Sequence, residues 1–158
     1  MKLTFIDHSW ERLTKSERRV KLLDIEQHCK SQEVESGVEI HPTVYSADGV
    51  YAREIFIPAG TLLVGEIHLK AQINVVSQGV IRVATEEGVK TIVAPHTFVS
   101  PAGTKRAGYV LEDTVWTTFL PTDKTDDKDV YTEFIAKDYT ALDNQLEHKQ
   151  CHSLQQQL

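Results

Sequence analysis

The sequence predicts a mainly β domain, a barrel or sandwich of short strands, flanked by an N-terminal helix and a C-terminal helical arm. Three observations carry this. Turn signals recur at short intervals through the middle of the chain: Pro58 with Gly60, Gly79, Glu86 to Gly88, Pro95, Pro101 with Gly103, and Glu112 with Asp113. Between them lie short runs rich in Val, Ile, Thr and Phe, residues that suit a pleated, half-buried surface. Helical apolar spacing is confined to the two ends.

In chain order, Thr14 and Glu17 match a capping box, in which a hydroxyl and a carboxylate satisfy orphan helix amides. Leu22, Ile25 and Cys29 follow at i, i+3 and i+7 beside Val20 and Leu23, so a helix is expected, closed by Gly37. Val38 to Tyr45 alternates imperfectly, residues 47–49 supply a turn, and Val50 to Ile57 reads as a strand. Beyond Pro121 a polar stretch over residues 122–129 reads as a linker. Tyr131, Ile135, Tyr139, Leu142 and Leu146 then form a helical stripe, with 130–135 open to a short strand instead; the residues from Cys151 onward are expected to fray. The division is 1–37 helical, 38–121 β-barrel, and 122–158 acidic linker and helical arm.

Composition bounds function. With 158 residues, 41% hydrophobic and 25% charged, one soluble globular domain is expected. Apolar runs are too short for a membrane span, and residues 1–7 lack the apolar core of a signal peptide, so the protein is not expected to be secreted or membrane-bound. Cys29 and Cys151 form no close pair, which fits a reducing compartment. The net charge is −6, with six Lys/Arg against four acidic residues over 10–30 and eight acidic against four basic over 123–149. That balance argues against tracking a nucleic-acid backbone. The opposite-signed ends read either as solvated faces, the first expectation, or as surfaces that attract one another within the chain or between subunits.

The segment Ile67 to Val76 alternates cleanly. Ile67, Leu69, Ala71, Ile73 and Val75 are apolar, whereas His68, Lys70, Gln72 and Asn74 are polar. In a strand the four polar side chains share a face, which on an isolated sheet would be solvent. His41 and His96 read as loop histidines, and Ser77, Ser100 and Thr104 have no evident base for nucleophilic chemistry.

Residues 49–121 resemble the cupin superfamily, and more closely the small cupin-like proteins encoded by tailed bacteriophages. The resemblance rests on Gly49 to Gly60, on the Phe98, Ser100, Pro101, Gly103 turn, and on Glu112 through Trp116 to Pro121. It covers a little under half of the chain. It implies a cupin-like jelly roll whose strand at 67–76 turns His68 and Lys70 inward, with Arg106 approaching from the opposite wall. Cupins usually place a His-x-His pair and a further His at those positions, with a carboxylate near Gln72 and Asn74. Lys70 and Arg106 are cations with no lone pair to offer a metal, and the two amides are weak ligands. No cofactor is therefore expected. The metal-free epimerase pattern of a His, an Asp and a Tyr has His68, Tyr109 and Asp113 as its nearest matches, with no supporting motif.

Two uses remain for these residues. His68, Lys70, Gln72, Asn74, Arg106 and Arg82, with Arg53 at the rim, would form a basic pocket for a small anion such as a nucleotide signal. Alternatively, Lys70 and Arg106 pair with Glu66, Glu112 or Asp113 and stabilise a filled barrel. The first expectation is a non-enzymatic, phage-encoded structural or protein-interaction module, in a virion or touching a host factor, in the host cytoplasm and homo-oligomeric. An anion binder comes second and a degenerate metalloenzyme third.

Overall fold

The computed structural model describes residues 6–36 and 40–155, with side chains described over 6–31 and 40–149. Gly37, Val38 and the last three residues lie outside the described residues. Among those described, no helix is long and apolar enough to cross a membrane.

After a 3-10 turn at His8–Arg12, helix α1 spans Lys15–Ser36. Its start is the capping box: Glu17 Oε2 accepts from the Thr14 amide at 2.8 Å, and Thr14 Oγ1 accepts from the Glu17 amide at 3.3 Å. Then come β1 Thr43–Ala47, β2 Val50–Ile57, β3 Leu62–Val64, β4 Ile67–His68, β5 Gln72–Thr85, β6 Gly88–Val93, β7 His96–Ser100 and β8 Arg106–Pro121. The chain ends with α2 Asp127–Phe134, β9 Ile135–Ala136 and α3 Tyr139–Gln155.

Two long strands make the barrel. β8 pairs with β3 along its first part and with β2 along its second, while β5 pairs with β7 and then with β6. β5 and β8 also pair antiparallel with each other through both walls. One wall runs β1-β2-β8-β5-β7, and the other β3-β8-β5-β6. Register shifts between Val76 and Ile81 bend β5 where it passes from wall to wall, the usual service of a β-bulge. Ile57, Val76, Ile81, Val83, Val110 and Trp116 pack between the walls.

Helix α1 lies outside. Ile6, Trp10, Leu22 and Ile25 are buried against Ala84 and Ala107, which face each other across β5 and β8. Alanines there leave room for the helix, and Trp10 Nε1 donates to the Thr85 carbonyl at 2.8 Å. Val20 and Leu23, beside the stripe in sequence, face outward and are exposed. Arg19 joins the ends of the chain: it pairs with Glu86 at 2.5 Å and Asp143 at 3.6 Å, and lies over the Tyr139 ring at 4.5 Å.

The C-terminal stripe is not one helix. The supposed linker already enters α2 at Asp127, because the Asp126 carboxylate caps the Lys128 amide at 3.0 Å. Ile135 and Ala136 leave the helix to pair with His68 and Ile67, satisfying a backbone edge that β4 otherwise exposes. Asp138 then caps the Ala141 amide at 2.8 Å and α3 begins, continuing through Gln155 rather than fraying from Cys151.

The segment 67–76 is not one strand either. It bends at Leu69 and Lys70, so the polar run is divided between β4 and β5. In β5 the faces are the reverse of an isolated sheet: Gln72 and Asn74 are 2% and 0% exposed, whereas Ile73 is 48% exposed. The barrel interior takes the polar side chains.

Candidate functional site

A cavity of about 350 Å³ occupies the barrel between its two walls. Ile55 and Ile57 from β2, Leu63 from β3, Ile81 and Val83 from β5 and Trp116 from β8 form its apolar walls. Helix α2 lies along its mouth through Asp127, Val130, Tyr131 and Phe134. The mouth is fastened on both sides: Tyr51 donates its hydroxyl proton to Asp127, and Glu133 accepts from Lys70 at 2.5 Å and from Thr122 at 3.0 Å.

Arg106 and His68 are the inward-facing polar groups that the sequence identified. Lys105, just before β8, turns outward to α1, and Arg106, the first residue of the strand, turns inward. The Arg106 guanidinium lies 5.2 Å from the Trp116 ring centroid and 5.8 Å from that of Phe98, and it donates to Ser100 Oγ. Behind it stands a closed polar network. Asn74 Nδ2 donates to Ser100 Oγ at 2.9 Å, while Asn74 Oδ1 accepts from Trp116 Nε1 and from Thr118 Oγ1, each at 3.0 Å. Asn74 is thus a buried organiser that fixes Ser100, Trp116 and Thr118 around the arginine, rather than a group facing the cavity. The sequence offers Ser100 no evident base for nucleophilic chemistry. Its actual work is to accept two hydrogen bonds.

Among the described residues no carboxylate lies within ion-pair distance of Arg106. Burial pulls its pKa down to about 10, which leaves it charged at neutral pH. Arg106 is among the residues that line the cavity. The expected pairing with Glu66, Glu112 or Asp113 does not occur; Asp113 instead accepts from the Ala59 amide at 2.8 Å.

His68 is neutral. Burial first, then the Arg106 charge and more weakly Arg53, depress its pKa to about 4, against a hydrogen bond to the Glu66 backbone that pulls the other way. The folded value is below the ordinary 6.5, so the unfolded chain binds more protons between the two, and stability rises with pH. This contribution is present above pH 6.5 and is lost as the pH falls through 4. Between pH 7.5 and 5 the expected loss is about 2 kcal/mol, read by urea unfolding at each pH. His68→Gln should flatten that dependence; an equally steep profile in the variant would assign it to other groups.

Two expected pocket residues are elsewhere. The bend at residues 69–70 turns Lys70 out of the barrel, where it holds Glu133 and lies 4.9 Å from the Phe134 ring centroid. Arg82 lies between the inward Ile81 and Val83, so alternation places it outside, in a surface groove with Asp7, His8 and Glu11. Gln72 shares the inward face with Asn74, and both atoms of its amide are buried without a partner, but it does not line the cavity. Arg53, by contrast, lines the mouth. The charged lining therefore consists of Arg53, Arg106, Glu66 and Asp127.

These residues do not fit the metal ion of a cupin cage. One imidazole faces the cavity beside a guanidinium that would repel a cation, and among the described residues no three His, Cys, Asp or Glu side chains gather to hold one.

The fold is a cupin-like jelly roll. Solved structures similar to the chain include a cupin-2 domain-containing protein from Shewanella frigidimarina NCIMB 400, at 16% identity and a TM-score of 0.44, covering 58% of this chain and 92% of that one. KdgF from Halomonas sp. is 22% identical at a TM-score of 0.46, covering 56% and 83%. A conserved protein with a double-stranded β-helix domain from Klebsiella pneumoniae is 12% identical at 0.48, covering 58% and 84%. At such identities the likeness concerns fold alone. No family model and no curated protein matches the sequence.

Proposed function

We propose that the barrel is a binding module that captures a small organic anion, without chemistry on it. The observation that carries this is Arg106: a guanidinium in the barrel, with no carboxylate partner among the described residues, that lines a preformed cavity. A buried cation is costly unless something compensates it, and a ligand anion would do so. The cavity size and its mixture of apolar walls with few polar groups are those of small-molecule sites.

The cavity supports this reading ahead of the purely structural or interaction module that was the first expectation from the sequence. In the phage setting that the resemblance implied, such a module would sequester its anion in the host cytoplasm.

The test is thermal unfolding with benzoate, hexanoate and AMP at millimolar concentrations, since a ligand that binds only the folded state raises the midpoint. At least one anion should raise the midpoint of the wild type, and Arg106→Met should lose that response. No shift with any of them, or equal shifts in both proteins, would end the binding hypothesis.

A further inference from the structure

We infer that the anion is a monocarboxylate carried on an apolar body, rather than a nucleotide or another polyanion. This rests on the binding reading above and specifies its ligand class.

Charge comes first. The lining holds two guanidinium groups, Arg53 and Arg106, and two carboxylates, Glu66 and Asp127, with His68 neutral between them. The lining is therefore neutral overall, but Arg53, Glu66 and Asp127 are exposed, which leaves Arg106 as the charge of the interior. One anionic group can reach Arg106. A second or third negative charge on the same ligand would find no further buried cation among the described lining residues, and would lose its hydration among apolar walls without a partner. Tyr51 does not relieve this, because its hydroxyl is committed to Asp127.

Shape and surface come second. Apart from His68 and from Arg106 with its network, the interior walls are mainly apolar, formed by Ile55, Ile57, Leu63, Ile81, Val83 and Trp116. These walls present neither donor nor acceptor to a ribose or a base edge: the indole N–H of Trp116 is spent on Asn74, as is the hydroxyl of Thr118. A polar ligand body would lose its hydration here without replacement, whereas a hydrocarbon or aryl body gains by leaving water. The volume of about 350 Å³ holds roughly a dozen waters at about 30 Å³ each, room for a ring or short chain with one carboxylate. The planar guanidinium, with one donor directed at Ser100, keeps a face of its fork for a bidentate carboxylate.

Isothermal titration calorimetry with 3-phenylpropionate, its uncharged amide 3-phenylpropionamide, and AMP tests this on the wild-type protein. The carboxylate should bind, and the amide should bind about 30-fold more weakly, the share of a charge-assisted hydrogen bond. AMP should show no measurable heat. Arg106→Met should reduce carboxylate affinity to that of the amide, and the wild-type comparison decides the matter even where this variant folds poorly. AMP binding tighter than the carboxylate, lost in Arg106→Met, would overturn the monocarboxylate and leave the anion pocket standing. Equal affinity for carboxylate and amide would overturn the role of charge. Silence from all three probes would overturn the binding reading with it.

Discussion

Replacing Gly79 with alanine is expected to destabilise the protein by more than about 4 kcal/mol, beyond the range of ordinary point mutations. Gly79 has φ +88°, and a Cβ there would lie 2.2 Å from the Asp113 carbonyl oxygen and 2.6 Å from Thr114 Oγ1. Neither neighbour can give way cheaply, because Asp113 is backbone within β8 and Thr114 is fully buried. The site is also where β5 shifts register against β8 and crosses from one wall to the other, so relaxation would spread into both walls. Gly60 supplies the control: its φ is +82° and nothing lies within 4 Å of its added Cβ. Gly60→Ala should show only the left-handed backbone cost, about 1–2 kcal/mol. Urea midpoints measured side by side separate the two effects. Equal losses would mean that the close strand crossing at Gly79 is not as tight as these distances require.

Removing Glu26 should cost about 3 kcal/mol, by a different mechanism. Lys105 is 3% exposed, and its ammonium is held by Glu26 at 2.9 Å and by the Gly65 carbonyl at 3.1 Å. Glu26→Ala leaves that cation buried with a single backbone acceptor, and the penalty is mostly its desolvation. Glu26 itself is 21% exposed, which places the expected loss at the low end of the range for breaking a buried pair. If the cost is the stranded charge, Lys105→Met in the same background should recover most of it. Additive losses in the double variant would show instead that the packing of α1 on the barrel is what was damaged. The position has functional weight: Lys105 anchors the helix on the outer wall, and the next residue is the arginine of the cavity.

Local features were legible wherever neighbouring residues suffice. The Thr14 and Glu17 capping box and the turn at Gly49 depend on contacts within a few residues, and the Leu22 and Ile25 stripe on helical spacing, although its partners Ala84 and Ala107 are distant in sequence. The apolar stripe from Tyr131 to Leu146 misled because spacing alone does not register a strand edge in search of hydrogen bonds. Ile67 and His68 supplied that edge, and it took Ile135 and Ala136 out of the helix. The candidate site was half legible. The resemblance turned His68 and Arg106 inward, and both line the cavity. Lys70 was turned inward on the same ground, but the chain bends at residues 69–70 and the alternation is broken there. Arg82 could not be placed without knowing which neighbours face in, and Trp116, Ser100 and Thr118 became visible only as partners of Asn74.

By itself, then, the sequence determined a mainly β chain with a helix at each end, its turns, and the unsuitability of its inward cations for a metal cage. These follow from short-range sterics, periodicity and the lone pairs a side chain does or does not carry. Tertiary structure alone decided that Asn74 is spent on Ser100, Trp116 and Thr118, that Lys70 clasps α2 instead of a ligand, and that Arg106 stands without a carboxylate partner among the described residues beside an open cavity. The reason is that a side chain's charge partner and its exposure are set by residues tens of positions away in sequence. Only the closing of two bent walls brings Arg106 from the start of β8, Asn74 from β5 and Trp116 from the far half of β8 around one space.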